Sequence, residues 1–251
     1  MVVLPASLGV YVINLARSVG RWKAIRSQAL AHGIHITRVP AIDGRSIAPM
    51  DYIDVDHASF FRHGGRQLLP GEYGCYRSHL RAVDMFLSST FEASVIIEDD
   101  VEIVGDLLER TSQILTAVPA ADIVKLFNHR IRGFRRIATT ISGDEIGRCL
   151  HGPQGSAACY IVTRRGARTI TTAMRTMVFP YDVALERGWN HGANVLTVRE
   201  NIVELSKHSQ STQIGTRADY RAIKFSGARR LTTHVLRALD YSRRIKYALD
   251  I

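Results

Sequence analysis

Residues 10–39 place the tightest limit on the fold, because a strand-like run, a segment of helical period and a second strand-like run succeed one another there without interruption. Val10-Tyr11-Val12-Ile13-Asn14-Leu15 is a nearly unbroken apolar run, the signature of a strand covered on both faces. A helix starts near Ser18, with Trp22, Ile25, Ala29 and Leu30 at helical spacing, and Gly33 stops it. Ile34 to Val39 then alternates like a strand, and Ala41-Ile42-Asp43-Gly44-Arg45 is a turn because Asp-Gly readily reverses the chain. Parallel strands need a crossover of this kind, so the opening predicts an α/β fold with a mostly parallel central sheet flanked by helices. Met1 to Val12 has no positive charge ahead of its apolar stretch and no small-residue cleavage site, and reads as the approach to a first core strand rather than a signal peptide.

Further along, residues 46–70 look irregular, with Pro49, Pro70 and Arg62-His63-Gly64-Gly65-Arg66. A helix is expected from about Gly71 to Ser88, with Cys75, Leu80, Val83 and Leu87 inward. Ser94-Val95-Ile96-Ile97 is a strand that ends in three carboxylates, followed by a helix around Gly105–Ala117 and a strand from Asp122 to Phe127. Gly152-Pro153-Gln154-Gly155-Ser156 leads into a strand over Ala157 to Val162, and Arg164 to Met174 reads as a helix. Val195 to Val198 and Ile202 to Leu205 are short late strands.

Glu98-Asp99-Asp100 is the segment that carries chemistry. Strand alternation would put Glu98 and Asp100 on one side and Asp99 on the other. Like charges this close are costly without a cation between them. Mg²⁺ or Mn²⁺ suits such a set, since each prefers carboxylate oxygen and keeps positions open for phosphate oxygens. The same tripeptide also serves as a solvated acidic loop, or as caps for the next helix.

The 251 residues are enough for one large domain, or one domain with an appendage. No apolar run approaches the ~18 residues a spanning helix needs. Cys75, Cys149 and Cys159 are odd in number, with no CxxC or Cys/His ligand spacing, and read as reduced thiols of a cytoplasmic protein rather than a disulfide or zinc site. A net charge of +10 draws polyanions, and nucleic acid, anionic membrane and a phosphorylated substrate all fit that balance.

Four ordered blocks narrow the choice. Tyr11-Val12-Ile13-Asn14-Leu15-Ala16-Arg17-Ser18 with Arg21 resembles "VINLDRSxxR", and Val39-Pro40-Ala41-Ile42-Asp43-Gly44-Arg45 resembles "xPAVDGR". Gly71-Glu72-Tyr73-Gly74-Cys75-Tyr76-Arg77-Ser78-His79-Leu80 is similar to "GEIGCxLSHL", and Val95-Ile96-Ile97-Glu98-Asp99-Asp100-Val101 to "xLILEDDV". A weaker fifth block, Gly155-Ser156-Ala157-Ala158-Cys159-Tyr160-Ile161-Val162 leading to Arg165-Gly166-Ala167, resembles "GTxAYIIS…GA", with Pro180-Tyr181-Asp182 as a later "PxD". Together the blocks span roughly residues 10–215 and resemble the family 25 glycosyltransferases, which include bacterial lipopolysaccharide galactosyl- and glucosyltransferases and related collagen-modifying enzymes.

The resemblance implies a GT-A-type fold over residues 1–215, with a nucleotide-binding half to about 130 and an acceptor half from 131. It implies inverting transfer from a UDP-sugar, most often UDP-galactose, to a glycan or lipid-linked glycan. On that footing Asp100, Glu98 and His208 are candidate ligands for Mn²⁺ or Mg²⁺, and Asp99 holds the loop. Asn14, Arg17, Arg21, Asp43, Gly44, Ser78, His79, Glu98, Asp99, Gly155 and Ser156 are candidates for the donor side. An inverting transfer also needs a base on the acceptor hydroxyl, for which Asp182 is the candidate and Glu186, one turn on, the alternative. Each has a plainer structural role open to it, as a cap, a turn former or a packing residue. Ala16 replaces an acid usual in the family, which leaves the choice of sugar more open, and Gly155-Ser156 stands for its Gly-Thr pair.

From Arg217 on, nine Lys/Arg face three acids, and Leu231, Val235, Ala238, Ile245 and Leu249 recur at helical steps. This basic helical tail (216–251) suits a peripheral position at the inner, anionic face of the cytoplasmic membrane, or else packs on the domain. No nucleic-acid motif accompanies the charge, so no nucleic-acid partner is expected. A non-catalytic nucleotide-sugar-binding protein of the same fold, or less directly a basic nucleic-acid-binding protein, is the competing reading.

Overall fold

The computed structural model describes residues 7–206, 217–225 and 230–250. The expected opening unit is present: β1 (Leu8–Asn14), α1 (Val19–Ala31) and β2 (Thr37–Pro40), with β1 and β2 parallel and Tyr11 opposite Thr37. Helices α2 (His57–Gly64) and α3 (Pro70–Leu87) lead to β3 (Ala93–Glu98), which lies parallel to β1 on its other side. Then come β4 (Val101–Glu102), α4 (Leu107–Ala117), β5 (Ile123–Lys125), β6 (Arg132–Thr139), β7 (Glu145–His151) and β8 (Cys159–Thr163). The chain continues through α5 (Arg164–Ala173), the short helices α6 (Tyr181–Leu185) and α7 (Gly188–His191), β9 (Val195–Val198) and β10 (Glu204–Leu205). Helices α8 (Arg217–Ala222) and α9 (Leu231–Leu249) follow.

Eight strands form one sheet in the order β2-β1-β3-β8-β5-β9-β7-β6. Through their pairings β2, β1, β3, β5, β9 and β6 run one way, and β8 and β7 run against them. The sheet is thus mostly parallel with two reversed strands, an α/β architecture of GT-A type. Alternation along the strands fills two cores. Val10, Val12, Val95 and Ile97 face Ile25, Leu107 and Ile114 on one side, while Tyr11, Ile13 and Ile96 face Tyr76, Val83, Phe86 and Ile170 on the other. A central sheet covered on both faces explains why its strands read as apolar runs.

Two expectations change, and one hairpin stands where the sequence carried no expectation. Residues 46–70 are not wholly irregular: Asp56 caps α2 by accepting from the Ser59 N–H at 2.9 Å, and Gly65, at φ 66°, ends it. Leu30 stands in solvent at 81% exposure, because it lies off the Ile25–Ala29 face that meets the sheet. The β6–β7 hairpin has no apolar alternation to announce it, since β6 is largely exposed and carries Arg132, Arg135 and Arg136.

Candidate functional site

β1 pairs with β2 on one side and with β3 on the other, so the strand order switches direction there, and ligands of open α/β sheets bind at the carboxyl ends of such strands. At that edge a cavity of about 430 Å³ opens. Its walls include Arg17, Arg21, Asp43, Gly44, Ser78, His79, Glu98, Asp99, Asp100, Ser156 and Asp182, so six segments distant in sequence meet in one hollow. Cys75, His129, Tyr181 and Tyr220 line it too, and were not singled out from sequence. Asn14, Gly155 and Glu186 are not among the lining residues, and His208 lies outside the described residues.

The acidic corner forms because β3 ends at Glu98 and the chain turns, which breaks the expected alternation and lets Asp99 and Asp100 both face Arg21. Arg21 lies 3.1 Å from Asp99 and 3.6 Å from Asp100. Asn14 is buried at the end of β1, donates to Asp99 at 2.5 Å and accepts from Arg38 Nε at 3.0 Å. Its amide thus braces Asp99 against Arg38 at the end of β1. Burial raises the Asp99 pKa against the pull of Asn14 and Arg21. Burial, then Glu98, push Asp100 up to about 7, with Arg21 opposing. The Asp100 carbonyl accepts from the Ser206 N–H at 2.7 Å, which ties the end of β10 to this corner.

Asp43 and Gly44 reach the cavity because the turn after β2 crosses the first turns of α3 at backbone contact. A Cβ on Gly44 would lie 1.8 Å from the Pro70 carbonyl oxygen, and one on Gly74 2.5 Å from that of Ile42. Ser78 donates to the Gly74 carbonyl at 2.6 Å and accepts from the Ile42 N–H at 2.8 Å, so its hydroxyl fastens this crossing. Asp43 pairs with Arg17 and accepts from the Arg45 N–H at 3.2 Å.

His79 is buried on α3 with both ring nitrogens engaged, one 3.1 Å from Glu98 Oε1 and one 3.3 Å from the Tyr160 hydroxyl. Its ring stacks on Tyr181 at 4.2 Å between centroids. Across the cavity Asp182 begins α6, and burial followed by the Glu186 charge raises its pKa, while Lys125 and the N–H groups of Val183 and Ser156 oppose. Burial lowers the His129 pKa against the pull of Asp182. A half-buried carboxylate with a raised pKa, facing a cavity, is suited to proton abstraction.

Glu186, the alternative base, occupies a different environment. It is buried, 2.8 Å from Lys125 Nζ and 3.1 Å from Arg244, and accepts the N–H groups of Gln154 and Gly155 at 2.9 Å each. Burial works to raise its pKa, but the two cations outweigh it and the net shift is downward. Every strong acceptor direction is taken, so Glu186 is a structural anion that anchors Gly155 and α9.

Much of the basic tail packs on the domain. α9 sends Arg244 to Glu186, and Tyr247 donates its hydroxyl to the Ala193 carbonyl at 3.1 Å. The Tyr220 hydroxyl on α8 donates to Glu72 at 3.3 Å, which carries α8 to the cavity wall. Leu231, Val235 and Leu239, successive at four-residue steps, point to solvent on the side opposite buried Thr233, Arg244 and Ala248. No helix among the described residues is long and apolar enough to cross a membrane.

The donor set at the corner fits a hard divalent cation. Asp100 Oδ1 is buried and has no hydrogen-bond partner among the described residues, and Glu98 supplies a second carboxylate at the same cavity wall.

Comparison with known proteins gives concordant matches. The family model described as Glycosyltransferase family 25 (LPS biosynthesis protein) matches residues 7–185. A rat (Rattus norvegicus) protein named "Probable inactive glycosyltransferase 25 family member 3" is 28% identical over 121 residues, 45% of this chain and 21% of that protein. The cattle (Bos taurus) protein of the same name is 29% identical over 123 residues, 46% of this chain and again 21% of the relative. The chain thus spans about a fifth of the length of the curated relatives it matches.

Proposed function

The chain belongs to glycosyltransferase family 25, and on that premise we propose that it is a metal-dependent, inverting hexosyltransferase that moves galactose or glucose from a UDP-sugar to a saccharide acceptor. The observation that carries this reading is the pairing, across one cavity of about 430 Å³, of an acidic corner with an orphaned Asp100 oxygen and a separate carboxylate, Asp182.

The donor lies with its diphosphate toward Glu98 and Asp100, which would hold Mn²⁺ or Mg²⁺, and its nucleoside toward the Asp43–Gly44 turn. Bound there, the ion supplies neutralisation of the negative charge that grows on the leaving diphosphate. Arg21 and Asn14 keep Asp99 in place, so the corner keeps its shape as charge redistributes. Arg17 and Ser156 stand at the wall within reach of the donor, and His79 fixes Glu98 from behind. The acceptor hydroxyl oxygen attacks the anomeric carbon from the face opposite UDP. The carbon–oxygen bond to UDP breaks with its electron pair leaving on phosphate oxygen, and Asp182 takes the hydroxyl proton. His208 completes the proposed ligand set.

The acceptor is proposed as lipopolysaccharide, lipooligosaccharide or another surface glycan, reached at the inner face of the cytoplasmic membrane. The outward stripe of Leu231, Val235 and Leu239, flanked by Arg243 and Lys246, supports that placement, since each basic residue near an anionic surface contributes ~1 kcal/mol. A second reading, a nucleotide-sugar-binding protein without turnover, is favoured by the names of the mammalian relatives. UDP release from UDP-galactose or UDP-glucose, with Mn²⁺ and a lipooligosaccharide acceptor, separates the two. Release that requires both metal and acceptor supports transfer, whereas UDP-sugar binding without release supports the second reading.

A further inference from the structure

Cys75 and His79 are four residues apart and so share one face of α3, where they meet Glu98 at the end of β3. The Cys75 sulfur, a ring nitrogen of His79 and a carboxylate oxygen of Glu98 all lie within 4.8 Å of one another. The sequence had offered no Cys/His ligand pattern, because the third ligand comes from another element. We propose that these three side chains form a binding site for a zinc-class cation, which shares Glu98 with the carboxylate site at Asp100 and differs from it in Cys75 and His79.

Three features argue for it. Thiolate and imidazole select Zn²⁺ over Mg²⁺ or Mn²⁺, which prefer oxygen. Tetrahedral zinc, with bonds of about 2.0–2.3 Å, sets its ligand atoms roughly 3.3–3.8 Å apart, so a rotamer adjustment of about an ångström closes the set. His79 is already oriented as zinc-bound histidines are: the nitrogen turned away from Glu98 meets the Tyr160 hydroxyl, which in turn meets Tyr181 at 3.0 Å. Cys75, His79 and Glu98 all line the cavity, so a fourth position would be accessible to water or a ligand. On binding, the Cys75 thiol releases its proton to solvent, and His79 binds as neutral imidazole with its other N–H donated to Tyr160. Occupancy would also draw Glu98 away from the donor site. That consequence rests on the transferase reading, but the cation site does not.

Co²⁺ titration of the full, reduced chain tests the site without any need for turnover. The expected result is a near-ultraviolet thiolate-to-cobalt charge-transfer band with tetrahedral visible bands, bleached by Zn²⁺, abolished in Cys75→Ser and retained in Asp100→Ala. No charge-transfer band in the wild type, or a band that survives in Cys75→Ser, overturns the proposal, as does its loss in a folded Asp100→Ala chain. A measurement on the unaltered chain guards against a Cys75→Ser variant that does not fold. Zn²⁺ at about ten times its Kd leaves roughly a tenth of sites free and should slow alkylation of Cys75 about tenfold, as read by peptide mass. An unchanged rate likewise overturns it.

Discussion

Glu186→Gln keeps the length of the side chain and one acceptor oxygen, but removes the charge that Lys125 Nζ meets at 2.8 Å and Arg244 at 3.1 Å. Lys125 is fully buried, and its other partner is the neutral Gly155 carbonyl at 3.1 Å. Without Glu186 it keeps only that neutral partner among the described residues. Arg244 keeps the Trp189 ring, 4.9 Å from its guanidinium, and so loses less. Breaking a buried pair from one side costs about 3–5 kcal/mol, and a value near 4 is expected here. For a chain of this size that lowers the melting temperature by about 8–16 °C.

The pH dependence follows from the depressed Glu186 pKa. A carboxylate held below its unfolded value contributes stability above that value, ~4.3 for glutamate, and loses it as pH falls through the folded value. The melting gap between wild type and variant should therefore hold between pH 6 and 8 and close below about pH 4. Turnover measured well below the variant's melting point should stay close to wild type. A variant that melts within about 2 °C of wild type yet loses ~10²-fold in kcat would refute the structural role and return Glu186 to the chemistry.

Asp100→Ala should abolish Mn²⁺-dependent UDP binding by calorimetry while the chain still melts cooperatively; wild-type-like turnover would reject the metal assignment. Asp182→Asn should cut kcat by ~10²-fold or more while sparing UDP-sugar binding. Because the Asp182 pKa is raised and a base must be deprotonated, the acid limb of kcat/KM should lie above the ordinary aspartate value of ~3.9, and a limb at that value would count against it. Gly74→Ala puts a methyl 2.5 Å from the Ile42 carbonyl oxygen and should lower stability by about 1–3 kcal/mol in urea titration, since backbone must move to admit it. Leu231→Ser, Val235→Ser and Leu239→Ser together should weaken sedimentation with anionic vesicles and leave the melting temperature within a few degrees, because all three side chains are more than half exposed.

The parts of the fold legible in sequence are those where burial dictates residue type. β1 and β3 lie inside a sheet covered on both faces and must be apolar on both, so Val10–Ile13 and Val95–Ile97 declare themselves. β6 closes an edge of the sheet with exposed arginines on both faces, and nothing in its composition separates it from a loop. Glu98, Asp99 and Asp100 stand out because three acids follow an apolar strand, whereas the division of labour among them depends on partners from elsewhere in the chain. Asn14 and Arg21 claim Asp99, and His79 claims Glu98. Asp182 and Glu186 sit four residues apart and look equivalent as letters; only Lys125 and Arg244, about sixty residues to either side, distinguish the buried structural anion from the carboxylate at the cavity.

That division bears on why the acidic corner is retained at all. Other buried acids in this chain are compensated on every side. Glu72 accepts two bonds from Arg66 and one from the Leu69 N–H, Asp122 meets Arg165 and the Asn194 N–H, and Glu186 has two cations and two backbone donors. Among the described residues Asp100 meets one guanidinium at 3.6 Å and has an oxygen without a partner, and burial, then Glu98, push its pKa up to about 7. A chain with 33 Lys and Arg could readily place another cation there if stability alone were at stake. On the proposed reading, leaving the charge short of partners costs folding free energy on the metal-free chain, a deficit that a divalent cation and a diphosphate would make good together. The same logic predicts where a stabilising substitution will be found, since removing one carboxylate from the corner relieves its repulsion at the expense of the function it serves.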